Sequence, residues 1–172
     1  MVEIGNPNPT FTWGWTLAAD YKGFDFTMLF QGAQNFDIYR NIESATMNMD
    51  GVFNVQTKAM DRWRSAANPG PNPSDVHSQG GTSYFKWGRE SSDRYVYDAS
   101  YAWLKTMTIG YTLPKLSFLG STRIFVTGNN LFLFTKYPGS NPDVGSGTQA
   151  ANIDNQSYPV SRTFATGLNI NF

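Results

Sequence analysis

The side chains with the greatest chemical potential are few and isolated. His77 is the sole histidine, and neither Asp75 nor Asp93 stands at a spacing that would hold a metal ion with it. Asp143 and Asp154 lie among turn residues, without the spacing of a calcium loop and with nothing that singles them out as a pair of glycosidase carboxylates. The chain has no cysteine, which excludes a thiol nucleophile and a cysteine-based zinc site. We therefore predict no enzyme, no cofactor and no metal site, and expect a solvated histidine and ordinary turn aspartates.

Aromatic side chains cluster in or beside a polar stretch in the middle of the chain. Basic residues such as Arg62 and Lys86 stand among them. Aromatic rings beside hydrogen-bond donors suit a glycan or peptide ligand. The candidates for contact with a ligand are Trp63, Tyr84, Phe85, Trp87, Tyr95 and Tyr97. The alternative is that these rings pack the loop in place.

The composition indicates a β-rich chain with few charges. Aromatic residues make up 16% of the sequence and charged residues only 15%, against about 25% charged residues in an ordinary soluble domain. Thirteen basic side chains balance thirteen acidic ones, so no overall field favours nucleic acid as a partner. The first residues lack the basic and apolar profile of a secretory signal, and we expect the complete protein to begin upstream.

Apolar and polar residues alternate over much of the sequence, which is the pattern of strands with two different faces. The alternation is clearest in the first and last predicted strands. The predicted strands lie at about residues 10–21, 24–39, 95–112, 122–135 and 161–172.

Polar, turn-rich stretches separate these strands. Long loops are predicted at about residues 41–94 and 136–160, with a short helix at 55–67 inside the first. Bulges are predicted at Gly32-Ala33 and at Gly128-Asn129-Asn130, where glycine or asparagine interrupts the alternation.

The apolar side of each strand carries large aromatic and aliphatic residues. Trp103 falls on the same predicted side as Met107, and Lys105 interrupts that side. The residues predicted to face lipid are Trp13, Trp15, Phe24, Phe26, Met107, Ile109, Tyr111, Phe164, Leu168, Ile170 and Phe172. A soluble sandwich would bury the same residues against a second sheet, so alternation alone leaves both interpretations open.

Short and long connections alternate along the chain. Membrane barrels show the same asymmetry, with short turns on the periplasmic side and long loops outside the cell. Five strands cannot close such a barrel, because the smallest single-chain bacterial barrels have about eight and lipid tolerates no open edge. We therefore expect an all-β, antiparallel transmembrane β-barrel of which this chain is only a part.

Four segments carry a recognisable pattern: IGNPNPTFTWG with YKGFDFT (residues 4–27), ASYAWLKTMTIGYTLPK (99–115), RIFVTGNNLFLFTKYPGSNPDV (123–144) and SYPVSRTFATGLNINF (157–172). Together they resemble the C-terminal region of SusC/RagA-type TonB-dependent transporters of the Bacteroidetes. They occur in that family's order and spacing. The closing strand is similar to the signal that barrel-assembly machinery reads, with Gly167 and the terminal Phe172 as its candidate residues.

The resemblance implies a barrel of about 22 strands with a plugged lumen, of which this chain supplies five. It further implies import of oligosaccharides or peptides across the bacterial outer membrane. The implied partners are the plug and remaining strands of the same transporter, a SusD-like surface lipoprotein acting as a lid, the TonB complex and outer-membrane lipid. In this setting the loop aromatics would contact the substrate or the lid, or pack against the barrel rim. The alternative function is that of a soluble all-β carbohydrate-binding module.

Overall fold

The computed structural model describes residues 3–47, 54–61, 65–68, 70, 93–114, 120–144 and 152–171. Its strands are β1 (Phe11–Tyr21), β2 (Phe24–Gln34), β3 (Asp37–Tyr39), β4 (Val96–Asp98), β5 (Tyr101–Thr112), β6 (Thr122–Thr135) and β7 (Thr163–Ile170). Within these residues, one α-helix, α1 (Asn41–Thr46), and 3-10 helices at Thr57–Asp61 and Asp93–Tyr95 complete the regular structure. No described helix is long and apolar enough to cross a membrane.

The chain divides into two compact units. The sheet unit comprises Asn8–Asp37, Asp98–Asp143 and Tyr158–Phe172, and the loop unit comprises Met1–Pro7, Ile38–Tyr97 and Val144–Ser157. The sheet unit holds five antiparallel strands in the order β1-β2-β5-β6-β7. The all-β, antiparallel prediction is thereby confirmed.

The connections of the five-stranded sheet differ at its two ends. Lys22 (φ 48°) and Gly23 (φ 87°) link β1 to β2 in a two-residue turn with both residues in the left-handed region, as hairpin turns matched to the sheet twist require. The link from β5 to β6 lies at the same end, since Phe24 faces Tyr111 and Tyr111 faces Ile124. We call this the short-turn end, and the opposite end the long-loop end.

Two predicted strands each divide into two elements. In place of one strand over 24–39, β2 ends at Gln34, Asn35 adopts a left-handed φ of 57°, and β3 pairs with β4 in a separate two-stranded sheet. In place of one strand over 95–112, β4 is followed by β5, which begins at Tyr101. β6 spans the same residues as the predicted strand 122–135.

The predicted bulge at Gly32-Ala33 is wrong. Trp13 pairs with Gly32 and Thr12 with Ala33 in unbroken register. The register shift lies on β5 instead, between Leu104 and Thr106, where it affects the pairing with both neighbouring strands.

The second predicted bulge is present in β6. On the β6 side of the same shift, pairing passes directly from Asn129 to Phe132, and Asn130 adopts a left-handed φ of 54°.

The helix predicted over 55–67 is also wrong in extent and type. Its described part holds only the 3-10 helix Thr57–Asp61, and Ser65 and Asn68 form a tight turn through reciprocal backbone hydrogen bonds. An α-helix of the loop unit lies earlier, at Asn41–Thr46, where Arg40 occupies the N-cap position and makes no side-chain cap hydrogen bond. Tertiary contacts therefore determine where this short helix forms.

Buried hydrophobic side chains of the sheet unit concentrate toward the long-loop end. They include Ala33, Phe36, Ala99, Tyr101, Trp103, Leu104, Leu131 and Tyr137. The ring of Phe36 meets that of Tyr101 edge-on, and Tyr101 meets Trp103 in the same way, with both pairs of centroids 6.3 Å apart. The loop unit has its own small core of Ile38, Met47, Ala59 and Tyr95.

Gly32 provides a test of the register between β1, β2 and β5. A Cβ at this position would lie 2.5 Å from the Trp13 ring and 2.5 Å from the Tyr101 carbonyl oxygen, whereas at Gly14 the nearest atom is 3.9 Å away. Gly32→Ala should therefore destabilise the full-length protein by about 1–3 kcal/mol. Gly14→Ala should be neutral or stabilising by up to about 1 kcal/mol. Thermal unfolding of the two variants checks this, and equal midpoints would contradict the register.

Candidate functional site

Every large hydrophobic side chain that the described strands of the sheet unit expose lies on one side of the sheet. Phe164, for example, is 73% exposed. These residues are Phe11, Trp15, Leu17, Tyr21, Phe24, Ile109, Ile124, Val126, Phe132, Phe134, Phe164, Leu168 and Ile170. The strand register places them together, and we call this side the apolar face.

All described residues that the sequence predicted to face lipid lie on the apolar face. Phe24 faces Tyr111 with ring centroids 4.5 Å apart, Tyr111 faces Ile124, and Ile124 faces Leu168. Trp13, Trp15, Phe26, Met107, Ile109, Phe164 and Ile170 occupy the same side. Phe172 lies outside the described residues.

Sequence reasoning missed the contribution of β6 to this face. Ile124, Val126, Phe132 and Phe134 stand at even positions on both sides of the bulge and point the same way. The even spacing was the available signal, but the glycine and asparagines between these residues obscured it.

Trp103 does not share the face of Met107, contrary to the prediction. The register shift at Lys105 reverses the alternation, so Trp103 lies opposite Gln31 and Leu133 on the other side of the sheet. The Nζ atom of Lys105 lies 3.4 Å from the centroid of the Trp103 ring. The bulge therefore removes a cation from the apolar face and pairs it with an aromatic ring.

The opposite side of the sheet, the polar face, carries small polar residues joined across strands. The Thr106 hydroxyl donates to Asn129 Oδ1 at 3.1 Å, and Asn129 Nδ2 donates to the Thr163 hydroxyl at 3.3 Å. The hydroxyls of Thr108 and Thr127 lie 2.9 Å apart. Such cross-strand pairs stabilise a sheet and fix its register.

An ion pair crosses the polar face near the short-turn end. Arg123 of β6 donates from Nε to Asp25 Oδ1 of β2 at 2.8 Å, and its second nitrogen pairs with Asp25 Oδ2. Gly110 of β5 lies beneath this pair, and a Cβ there would collide with both side chains. Absence of a side chain on the middle strand therefore permits the contact across it.

Gly167 has a packing role that the sequence alone did not show. The ring of Phe125 covers it, and a Cβ at Gly167 would collide with the far edge of that ring. The guanidinium carbon of Arg123 lies 4.9 Å from the centroid of the same ring. Recognition of Gly167 by assembly machinery remains a prediction.

Two of the predicted ligand-contact aromatics lie in the described part of the loop unit. Tyr95 is only 3% exposed and meets Tyr39 edge-on with centroids 6.1 Å apart. The Tyr97 hydroxyl donates to Glu43 Oε2 at 2.7 Å. Both residues organise the loop unit internally. The other four predicted contacts, Trp63, Tyr84, Phe85 and Trp87, and also His77, lie outside the described residues.

Glu43, which the sequence did not single out, joins three side chains in the described part of the loop unit. Its carboxylate is buried and accepts hydrogen bonds from Arg40 at 3.1 Å and Lys58 at 3.0 Å in addition to Tyr97. Burial raises the pKa of Glu43, but the hydrogen bonds from Tyr97 and Lys58 and the charges of Lys58 and Arg40 outweigh it, so the pKa lies below its ordinary value. Burial and the bond to Glu43 raise the pKa of Tyr97.

Asp154 joins the two predicted long loops. Its carboxylate accepts the backbone N–H groups of Gln156 and Ser157 at 3.0 and 2.8 Å. Its backbone N–H donates to the Tyr39 carbonyl at 2.9 Å, and its own carbonyl accepts from Ile42 at 3.2 Å. Asp154 thus stabilises a turn, and Asp143 similarly lies in a turn in which its N–H donates to Asn141 Oδ1 at 2.9 Å.

The geometry defines one antiparallel sheet with an exposed apolar face, a hydrogen-bonded polar face and its long connections at one end. This is the construction of a segment of a β-barrel wall. No protein-family model matches the chain.

Curated relatives match the chain over almost its whole length. TonB-dependent receptor P3 of Formosa agariphila is 35% identical over 183 residues, covering 98% of this chain and 17% of that receptor. TonB-dependent receptor P26 of the same organism is 31% identical, covering 99% of this chain and 18% of that receptor. TonB-dependent receptor SusC of Bacteroides thetaiotaomicron is 27% identical, and the match covers 92% of this chain and 15% of that receptor. The chain spans less than one-fifth of the length of these relatives.

Solved structures show the same fold. A chain of the RagAB peptide transporter superposes with a TM-score of 0.74 at 23% identity, covering 96% of this chain and 17% of that one. A chain of the RagAB peptide importer in its closed-closed state gives a TM-score of 0.75 at 21% identity, and the match covers 96% of this chain and 18% of that one. The homologues of this chain are therefore TonB-dependent receptors of the SusC type, and its fold is that of a segment of the RagA barrel.

The Glu43 network predicts a pH-dependent loop unit. Because the folded pKa lies below the unfolded one, the stabilisation from Glu43 is complete above the unfolded value and is lost as the pH falls through the folded value. Glu43→Gln should weaken the loop unit by about 1–3 kcal/mol at neutral pH. Hydrogen exchange of the α1 amides in the full-length protein, corrected for intrinsic rates, measures this loss.

Asp61→Asn in the same loop is the matched control and should leave the exchange unchanged. Protection of wild-type α1 should decline on acidification toward that of Glu43→Gln. Equal protection of wild type and Glu43→Gln at neutral pH would refute the role of this carboxylate.

Proposed function

We propose that this chain forms the C-terminal part of the barrel wall, with two extracellular loops, of a SusC-like TonB-dependent importer in the bacterial outer membrane. Its substrates would be oligosaccharides or peptides. The region catalyses no reaction. It supplies a wall between lipid and lumen, and loops at the cell surface.

The observation that carries this proposal is the exposed apolar face on a five-stranded sheet whose other face carries polar pairs across strands. In a soluble sandwich a second layer would cover the large hydrophobic residues, but in the described residues Phe132, Phe134 and Phe164 are all more than half exposed. An exposed apolar face is stable in contact with lipid hydrocarbon. The threonine and asparagine side chains of the polar face are stable in contact with an aqueous lumen. The exposure of this apolar face supports a membrane wall over a soluble carbohydrate-binding module.

The backbone supports the proposal that further strands complete the barrel. β1 and β7 stand at the two sides of the five-stranded sheet. In lipid their outward N–H and C=O groups would have no water to bind, and each unsatisfied group costs several kcal/mol. The remaining strands of the same transporter would pair with both, and the plug would fill the lumen against the polar face.

The two ends of the sheet suit different partners. Long connections leave the sheet at one end, and the loop unit offers a surface for a SusD-like lipoprotein lid and for substrate. The short-turn end would face the periplasm, from which the TonB complex acts on parts of the transporter outside this chain. The RagAB neighbours are described as a peptide transporter and importer, which favours peptides as one substrate class.

Adjacent residues of β6 test the orientation of the wall. Val126 lies on the apolar face and Thr127 on the polar face. In the full-length receptor in lipid vesicles, a nitroxide on Val126→Cys should collide mainly with oxygen dissolved in lipid. The same label on Thr127→Cys should collide mainly with a water-soluble nickel chelate.

Heat-modifiable mobility on gels controls for assembly of both variants. Equal access of the nickel chelate to the two labels would overturn the membrane-wall proposal and favour the soluble alternative.

A further inference from the structure

An open groove lies at the long-loop end of the sheet unit. It encloses about 690 Å³ and is formed by β2, β5 and β6 together with the residues that extend them. Its lining includes Gln34, Asn35, Asp98, Ser100, Phe134 and Lys136. These three strands are the interior strands of the sheet, flanked by β1 and β7, so pairing of further strands at the sheet edges would leave the groove in place.

The groove lies where the apolar face ends and the polar groups at the long-loop end begin. Phe134 pairs with Ala102, and Ala102 pairs with Gly32, all on the apolar face. Phe134 is 61% exposed. Beyond these residues the same side of the sheet continues into Ser100 and Lys136. A molecule seated here would meet an apolar surface at one end and polar groups at the other, as an amphiphile requires.

Hydrogen bonds within the sheet unit hold the polar part of the groove in place. Gln34 Nε2 donates to the Tyr101 carbonyl at 3.0 Å, and the Asn35 N–H donates to the Ser100 hydroxyl at 3.0 Å. The Ser100 N–H donates to Asp98 Oδ1 at 2.9 Å, and the Thr135 hydroxyl donates to the Ser100 carbonyl at 2.9 Å. The site is therefore formed before any ligand binds, which lowers the entropic cost of binding.

Two exposed cations stand on this side of the long-loop end. Lys136 lines the groove together with Asp98. The guanidinium carbon of Arg162 lies 5.7 Å from the centroid of the Phe132 ring, which belongs to the apolar face two residues before Phe134. Cations at the end of a lipid-facing surface attract anionic head groups, and amide, hydroxyl and carboxylate groups together suit the hydroxyls of a sugar.

We propose that this groove binds the phosphorylated sugar head group of an outer-leaflet glycolipid, with an acyl chain lying along Phe134 and Ala102. The phosphate would pair with Lys136 and Arg162, and sugar hydroxyls would meet Asp98 and Gln34. The assignment rests on the proposed function, because it requires the apolar face to contact lipid and the long loops to lie outside the cell.

The test uses the full-length receptor purified from outer membranes in detergent. Purified lipopolysaccharide is the probe, and the amount retained per receptor is measured by native mass spectrometry. Lys136→Gln and Arg162→Gln should each reduce retention about fivefold, as expected for loss of one cation near an anionic head group. Lys22→Gln is the matched control, because Lys22 also lies over an aromatic ring, that of Tyr21 at 5.2 Å, but at the short-turn end.

Each outcome tests glycolipid binding in the groove independently of the proposal that the sheet forms a barrel wall. Reduced retention in both groove variants, with the control unchanged, supports the assignment. Equal retention in all four proteins, or none in the wild type, overturns it even if the nitroxide labels on β6 show a membrane wall. Displacement of the glycolipid by inorganic phosphate alone would identify a soluble-phosphate site and would also overturn it.

Discussion

Backbone hydrogen bonding between strands is the constraint on which the sheet unit depends. The ladder runs without a break through β1, β2, β5, β6 and β7, and in the proposed membrane setting it must do so, because a strand in hydrocarbon has no water to satisfy an unpaired N–H or C=O group. Pairing then fixes which side chains share a face, because a slip of one residue would turn a whole strand over. The separation into an apolar face and a polar face follows from that register.

Departures from regular pairing explain how the two faces stay distinct. The bulge at Lys105 reverses the alternation of β5, so the upper part of that strand presents Trp103 to the polar face and Leu104 to the apolar one. Glycine also helps to keep charged side chains off the apolar face. Gly110 lies under the pair of Asp25 and Arg123, which lets two charges meet across a strand and remain off the apolar face.

Alternation in the sequence was sufficient to predict the five main strands and the residues that β1, β2, β5 and β7 contribute to the apolar face, because a sheet with two different faces imposes a period of two. It could not locate the bulge on β5, where Lys105 within an apolar series was the sole signal. It also could not find the Glu43 network, since Lys58 and Tyr97 lie 15 and 54 residues from Glu43 along the chain. Contacts of that separation leave no local pattern.

The loop unit and the sheet unit are stabilised by different kinds of interaction. The two units therefore tolerate different substitutions during evolution. Apart from close-packed glycines such as Gly32 and Gly110, most positions of the sheet require only an apolar or a polar side chain, so many residues satisfy them. The loop unit depends on particular partners around Glu43 and Asp154, each with several hydrogen bonds. Loss of one partner leaves a buried group unsatisfied at a cost of about 1–3 kcal/mol. A new surface specificity would therefore arise more readily from residues at the periphery of these networks than from their centres.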